Sequence, residues 1–370
     1  ICINEDVTIE DTIKLYKWTP IGWYKDYNTS DKYKGTFDGN GHTISGLYIF
    51  AKSTSVDNRA NYTGLIGYAD KGSMICNLTI SDSLIENRST AANRGKNVGA
   101  VAGDAYNVEN CHVTNSVTVF GISDYVGGVA GYVDGSITRS SSAATVTGKG
   151  TRIGGVVGCV QSNSSTAMTE CFNTGKVEGA NFVGGLVGDL YNGGTISDCY
   201  NTGSVTATSS SGAAGGLLGS FRYGTLKNSY SSTVPTAAKA GSVLGRLQDS
   251  QQKTLEKVYG LDGAEVLGVS GTITGATLKT ADELKALTSA DLSDKFTADS
   301  ENINGGYPIL AWQNSGSDEP VDPDHPAIDP NGWDGKASQT EPANVGGVYQ
   351  IASAADLKWF ADHAAATPAI

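Results

Sequence analysis

The chain has 370 residues, of which 48 are Gly and only 17% are charged, with a formal net charge of −12. The glycine share is about twice the usual one and lacks the every-third spacing of collagen, and the negative balance argues against nucleic acid, whose phosphates need Lys and Arg. No apolar run approaches the ~20 residues of a membrane span, so no membrane insertion is expected of this segment, and the start at Ile1 without a signal-peptide pattern reads as a piece of something larger.

From the N-terminus, ICINEDVTIE reads as a strand and GNGHTI, which holds His42, as a turn entering a strand. Between residues 61 and 260 the chain repeats itself. A glycine-rich run ends at Gly67 (YTGLIG), Gly103 (VGAVAG), Gly131 (VGGVAG), Gly158 (IGGVVG), Gly188 (VGGLVG), Gly219 (AGGLLG) and Gly245 (GSVLG), at intervals of 36, 28, 27, 30, 31 and 26 residues. Most copies are followed by a second element, such as AMTECFNTGKVEG or GTISDCYNTGSVT. Each unit holds short stretches of Val, Ile, Leu and Thr between Gly, Asn, Asp and Ser, which is strand and turn chemistry. Units of this size cannot bury a core alone and must stack. The expected fold is all-β: a parallel β-helix of seven to nine coils, in which equivalent residues sit ~4.8 Å apart. A propeller, whose blades take ~40 residues, is the alternative.

The pattern changes after residue 260. TADELKALTSADL at 280–292 has Thr280 three residues before Glu283, a capping-box spacing, and predicts a short helix lying on the last coil and shielding its edge. Residues 314–344 are rich in Pro, Asp, Ser and Gly and read as a linker stiffened by its prolines. In the final stretch VYQI reads as a strand, and Ser353 as the cap of a helix with Leu357 and Phe360 on one face.

VGGLVG followed by GTISDCYNTGSVT resembles the GLUG repeat of bacterial surface and secreted proteins. WTPIG at 18–22 with FDGNGHTISGL at 37–47 resembles the lead-in coil before such repeats, and NGGYPILAWQ at 304–313 the segment that closes them. The resemblance spans residues 18–313 and implies a right-handed β-helix in an extracellular or cell-surface bacterial protein, often adhesin-like. Some relatives carry the repeats beside an IgA-peptidase-like metalloprotease; nothing of that protease is seen in this sequence, and it has no HExxH motif. The expected organisation is lead-in coils at 1–60, repeats at 61–260, a closing coil and capping helix at 261–313, the linker at 314–344, and at 345–370 the first strand and helix of a following module or a cap. By the same resemblance the chain looks like one period of a tandem array cut within a module. An apolar helix face at Leu357, Trp359 and Phe360 would then pack either on its own first coil or head-to-tail on another copy, which builds filaments.

The chemistry is sparse. Cys76, Cys111, Cys171 and Cys199 are assigned to one repeat position, filled by Ser140 and Ser229 in other copies; stacked parallel side chains do not converge as a disulfide requires, so a buried ladder of thiols is expected. Cys2 and Cys159 stand apart. Phe172, Tyr200, Tyr230 and Tyr259 share the next position, as a stacking ladder or a sugar-binding stripe. Tyr68, Tyr106, Tyr132, Tyr191, Phe221 and Tyr223 follow the glycine runs and are the candidate glycan contacts. Asp104 and Asp189 share a position three coils apart, ~14 Å, beyond the ~5–9.5 Å of a glycosidase acid pair. No metal or cofactor is expected; calcium is compatible with the carboxylate-rich loops, but EF-hand spacing is lacking. The sequence therefore points to a non-catalytic structural or adhesive segment, with a surface glycan, a host protein or another copy as partner. A carbohydrate-binding or polysaccharide-degrading β-helix is the alternative.

Overall fold

The computed structural model describes residues 18–24, 30–52, 61–90 and 97–314, apart from 123, 162–167, 249–251 and 270, together with 341–342, 344–345, 348–349, 351 and 353–363. The expected strand at 1–10, Cys2 and most of the linker lie outside these residues.

The fold is a parallel β-solenoid with two short helices, α1 (Ala281–Lys285) and α2 (Ala354–His363). One face is built from the glycine runs: Ile66, Ala102, Ala130, Val157, Val187, Leu218, Leu244 and Leu267 pair in register, each strand parallel to the next. A second face pairs Phe37, Ile75, Val108, Ile137, Met168, Ile196, Leu226 and Leu255. The third stacks six strands through Ile49, Ile85, Val119, Val146, Val177 and Val205. Six turns therefore carry every face, fewer than the seven to nine expected, because the first two faces run on beyond the third. WTPIG does start the stack: Ile21 bridges Ile66, and the Trp18 indole donates to the Leu65 carbonyl at 3.3 Å. Each named apolar residue points inward, so one continuous core runs along the axis.

The glycine runs mark backbone-on-backbone contact. A Cβ on Gly188 would lie 2.4 Å from the carbonyl carbon of Arg152 in the previous turn, and one on Gly185 would lie 2.2 Å from the oxygen of Gly216 in the next. Only a residue without a side chain fits where strands press this closely.

Beside the core runs a hydrogen-bonded rung ladder: Leu78, Cys111, Ser140, Cys171, Cys199, Ser229 and Val258. The Cys111 amide donates to Ser140 Oγ at 3.1 Å, Ser140 to Cys171 Sγ at 3.4 Å, Cys171 to Cys199 Sγ at 3.4 Å and Cys199 to Ser229 Oγ at 3.2 Å. Each hydroxyl or thiol donates in turn to the carbonyl two residues before it, as Ser140 does to Thr138 at 2.8 Å and Cys199 to Ser197 at 3.0 Å. From Cys111 to Ser229 the position takes Cys or Ser, small groups that both accept and donate, and apolar Leu78 and Val258 end the ladder. Among the described residues all cysteines are thiols, and burial raises those of Cys111 and Cys199 well above the usual range.

Cys76 does not belong to this ladder. It pairs with Glu109 and Asp38, while Leu78 is the rung mate of Cys111. Half-buried, beside Asp38 and Glu109, its thiol is pushed up to about 11 by burial first and by these carboxylates second. The true marker of the rung is the residue before it, which is left-handed in every turn: Asn77, Asn110, Arg139, Glu170, Asp198, Asn228 and Lys257 all have φ between 48° and 57°. Asn and Asp tolerate that conformation best, and their side chains bond along the corner, Asn110 to Asn77 and Asn77 to Asp38, each at 3.0 Å.

The aromatic ladder forms. Phe172 and Tyr200 stack with centroids 4.8 Å apart and planes 1° apart, and Tyr200 and Tyr230 at 5.3 Å and 6°. It is no open sugar stripe, because residues 287–314 are strapped along it. α1 has both bonds of its capping box and stops at Lys285. Thr288 then closes a second local turn with Asp291, through bonds of 2.9 and 2.8 Å that compete with continuing the helix. The chain next runs back over earlier turns, burying Leu287, Leu292, Phe296 and Leu310 against Tyr200 and Tyr230. Gln313 takes the Tyr200 hydroxyl at 3.0 Å, and Trp312 rests on Phe172 and His112. The closing segment thus covers the flank of the stack as well as lying on the last coil.

Candidate functional site

The side chains that leave the solenoid beside the glycine runs form its chemically richest surface. Pairing sets one column as Tyr68, Asp104, Tyr132, Cys159, Asp189, Ser220 and Arg246. Asn97, Tyr125, Arg152 and Phe182 flank it, each preceding the paired residues Val98, Val126, Ile153 and Val183. On the other flank lie Asp70, Tyr106, Asp134, Gln161, Tyr191 and Arg222, each following a paired inward residue.

Charge is uneven along this face, although Lys32 sits 3.2 Å from Asp70 in the early turns and Asp189 lies among the later ones. The early turns present Asp70, Asp104 and Asp134; the later ones present Arg152, Arg222, Lys239 and Arg246. Asp104 is buried and receives a 3.0 Å bond from Asn97 Nδ2. Burial and then the charge of Asp134 raise its pKa well above the usual carboxylate range, favouring the neutral acid. Asp189, three pairing steps from Asp104, is fully buried and held by Arg152 Nε and Arg222 Nε, both 3.0 Å from Oδ2. Asp104 and Asp189 thus stand on opposite halves of the face, with Tyr132 and Cys159 between them.

Cations lie over rings along the same face: Lys32 over Tyr68 at 4.7 Å, Arg152 over Tyr125 at 5.2 Å, Arg222 over Tyr191 at 4.4 Å and Arg246 over Phe182 at 5.0 Å. Neither the cations nor Tyr125 and Phe182 were expected from the sequence; their repeat offset before the glycine run was the available signal.

The candidate glycan contacts separate. Tyr191 and Tyr223 are exposed, at 41% and 42%. Tyr68, Tyr106 and Tyr132 are half-buried, and Tyr132 donates to Gln161 Oε1. Phe221 is a correction: it is 0% exposed and pairs with Leu190 in the core, because the strand alternation that turns Ser220 outward turns it inward. Leu357 and Phe360 of α2 are 7% and 5% exposed and belong to this chain's own hydrophobic core, with Trp359 packed against it. Tyr349 meets Phe360 edge-on at 5.7 Å. Among the described residues no group of three or more His, Cys, Asp or Glu side chains is placed to hold a metal ion, and no helix is long and apolar enough to cross a membrane.

Residues 179–206 match the GLUG motif, the stretch whose repetition carried the resemblance in sequence. A segment of 106 residues, 28% of this chain, is 41% identical to a halomucin of Haloquadratum walsbyi and spans about 1% of that protein's length. A crystal structure from Bacteroides ovatus, described provisionally as an immunoglobulin A1 protease, aligns over 76% of this chain and 78% of its own, with a TM-score of 0.44 and 18% identity.

Proposed function

We propose that this chain is a non-catalytic, rigid segment of an extracellular or cell-surface bacterial protein that spaces and presents a binding face. The observation that carries this reading is the continuous parallel pairing from Ile66 to Leu267, locked along its flank by the strap. The GLUG motif and the likeness to a halomucin support the setting. The exposed Tyr191 and Tyr223 beside Arg222 favour saccharide as the ligand, since flat rings cover sugar faces and a guanidinium orients them. Purified protein on a saccharide array, with reducing ends and unsaturated products assayed in parallel, is expected to show retention without bond cleavage. Cleavage abolished by Asp104→Asn would replace the spacer with an enzyme.

In a tandem or polymeric setting, α2 packs on the core of the following copy as it packs here on its own, giving head-to-tail contact through Leu357, Trp359 and Phe360. Sedimentation velocity across a hundredfold range of concentration is expected to show chains of copies that disappear when residues 345–370 are removed. A monomer throughout, with and without those residues, would refute the exchange.

A further inference from the structure

We propose that the later turns of the outer face bind an anionic saccharide, a sugar chain bearing carboxylate or sulfate groups, between Arg222, Arg246 and the exposed rings of Tyr191 and Tyr223. This rests on the saccharide reading above and names its ligand class.

The first ground is a local surplus of positive charge in a chain of net charge −12. Asp189 is the one carboxylate of its column in these turns, and it is bonded by both Arg152 and Arg222. Arg152 directs a further nitrogen, Nη1, to Thr151 Oγ1 at 3.2 Å. Arg222 gives Asp189 only Nε. Among the described residues, the terminal nitrogens of Arg222 and the whole guanidinium of Arg246 meet no protein acceptor. Each is nevertheless held in place, Arg222 against Tyr191 and Arg246 against Phe182. A guanidinium fixed on a ring is a planar pair of donors already ordered for a carboxylate or sulfate.

The second ground is independent of charge. Ser220 lies in the column between Asp189 and Arg246. It is fully buried, and among the described residues its hydroxyl has no hydrogen-bond partner. Buried polar groups are usually hydrogen-bonded, so an orphaned hydroxyl in a charged column is a candidate ligand contact. One turn earlier the column supplies its own acceptor, Asp189. At Ser220 it supplies a hydroxyl without an acceptor, next to an arginine without one. An oxyanion that parts the side chains covering Ser220 would answer both.

The third ground fixes the ligand as a sugar and not a bare anion. Tyr191, over whose ring Arg222 lies, and Tyr223, the next residue after Arg222, are both exposed to solvent. An acidic sugar matches that pairing of a flat face with a peripheral charge.

Affinity electrophoresis of the intact chain tests this, through gels containing polygalacturonate, its methyl ester, dextran sulfate or polyglutamate. Polygalacturonate is expected to retard the protein at least tenfold more strongly than its ester, and retardation is expected to weaken as salt rises. Arg246→Gln is expected to reduce it about tenfold at an unchanged melting temperature. Tyr223→Ala, which removes only an exposed ring, is expected to reduce it several-fold and guards against misfolding of the first variant. Retardation by dextran sulfate extends the ligand to sulfated chains. Equal retardation by acid and ester would leave saccharide binding intact and sink anion recognition. Equal retardation by polyglutamate would mean charge without sugar. Indifference to both substitutions would place binding elsewhere, and no retardation by any saccharide would remove the saccharide reading itself.

Discussion

Tyr230→Ala is expected to destabilise the fold by about 3–5 kcal/mol, the range for deleting a fully buried aromatic side chain. Tyr230 stacks on Tyr200, faces Phe296 at 6.0 Å and Tyr307 at 6.4 Å, and is 0% exposed. Its hydroxyl donates to the Pro308 carbonyl and accepts from Asn304 Nδ2 at 3.0 Å. One side chain thus joins the solenoid to the strap, and its loss opens a cavity between them. Tyr230→Phe keeps the ring and is expected to cost only about 1–2 kcal/mol, the value of an unmet buried hydrogen bond. Urea unfolding measures both, and limited proteolysis reports where the damage falls. Cleavage in residues 287–313 is expected to rise sharply for the alanine variant. A loss below about 1 kcal/mol would mean that the strap does not depend on the ladder beneath it.

Asp189→Ala is expected to be comparably severe, at about 3–5 kcal/mol, because removing one member of a buried ionic group strands the others. Here two guanidinium groups, both only 18% exposed, would face each other across an empty site. The diagnostic experiment adds Arg152→Leu. The double variant is expected to lose clearly less than the sum of the two single losses, since each substitution relieves the burden left by the other. Additivity within about 0.5 kcal/mol would show that Arg152 and Asp189 do not act together. The same pair locks neighbouring turns, because Arg152 lies one turn before Asp189.

The stack was legible because its cause is local and repeated. Gly-Gly-Leu-Val-Gly can recur only where backbones must touch, and the register confirms this turn by turn. The rung ladder was partly legible. Aligning on cysteine placed Cys76 correctly as a thiol and wrongly as a rung, since the geometric constant is the left-handed residue before the rung, which in that turn is Asn77 and makes Leu78 the rung. Phe221 failed by parity: alignment on the last glycine already set it beside Leu190 and Val160, apolar in every copy. The strap was illegible for another reason. Leu287, Leu292 and Phe296 signal burial but carry no mark of the surface that receives them, and that surface lies up to about 100 residues earlier in the chain. The cations of the outer face escaped notice because each belongs to a different copy, and only pairing across turns brings Arg152 and Arg222 to one carboxylate.

The strap also acts as a ruler. Within the solenoid every rung bonds only to its neighbour, so a whole turn could be duplicated or excised and like would rejoin like. The strap permits no such freedom beneath it. It meets Tyr259 through Asp291, Tyr230 through Asn304 and Pro308, Tyr200 through Gln313, and Phe172 and His112 through Trp312. Inserting a turn between His112 and Tyr259 would carry the landing points on one side of it out of step with those on the other, so the strap could not meet them all. Growth and shrinkage by recombination are thereby confined to the turns before His112, while the remainder is held to a single length.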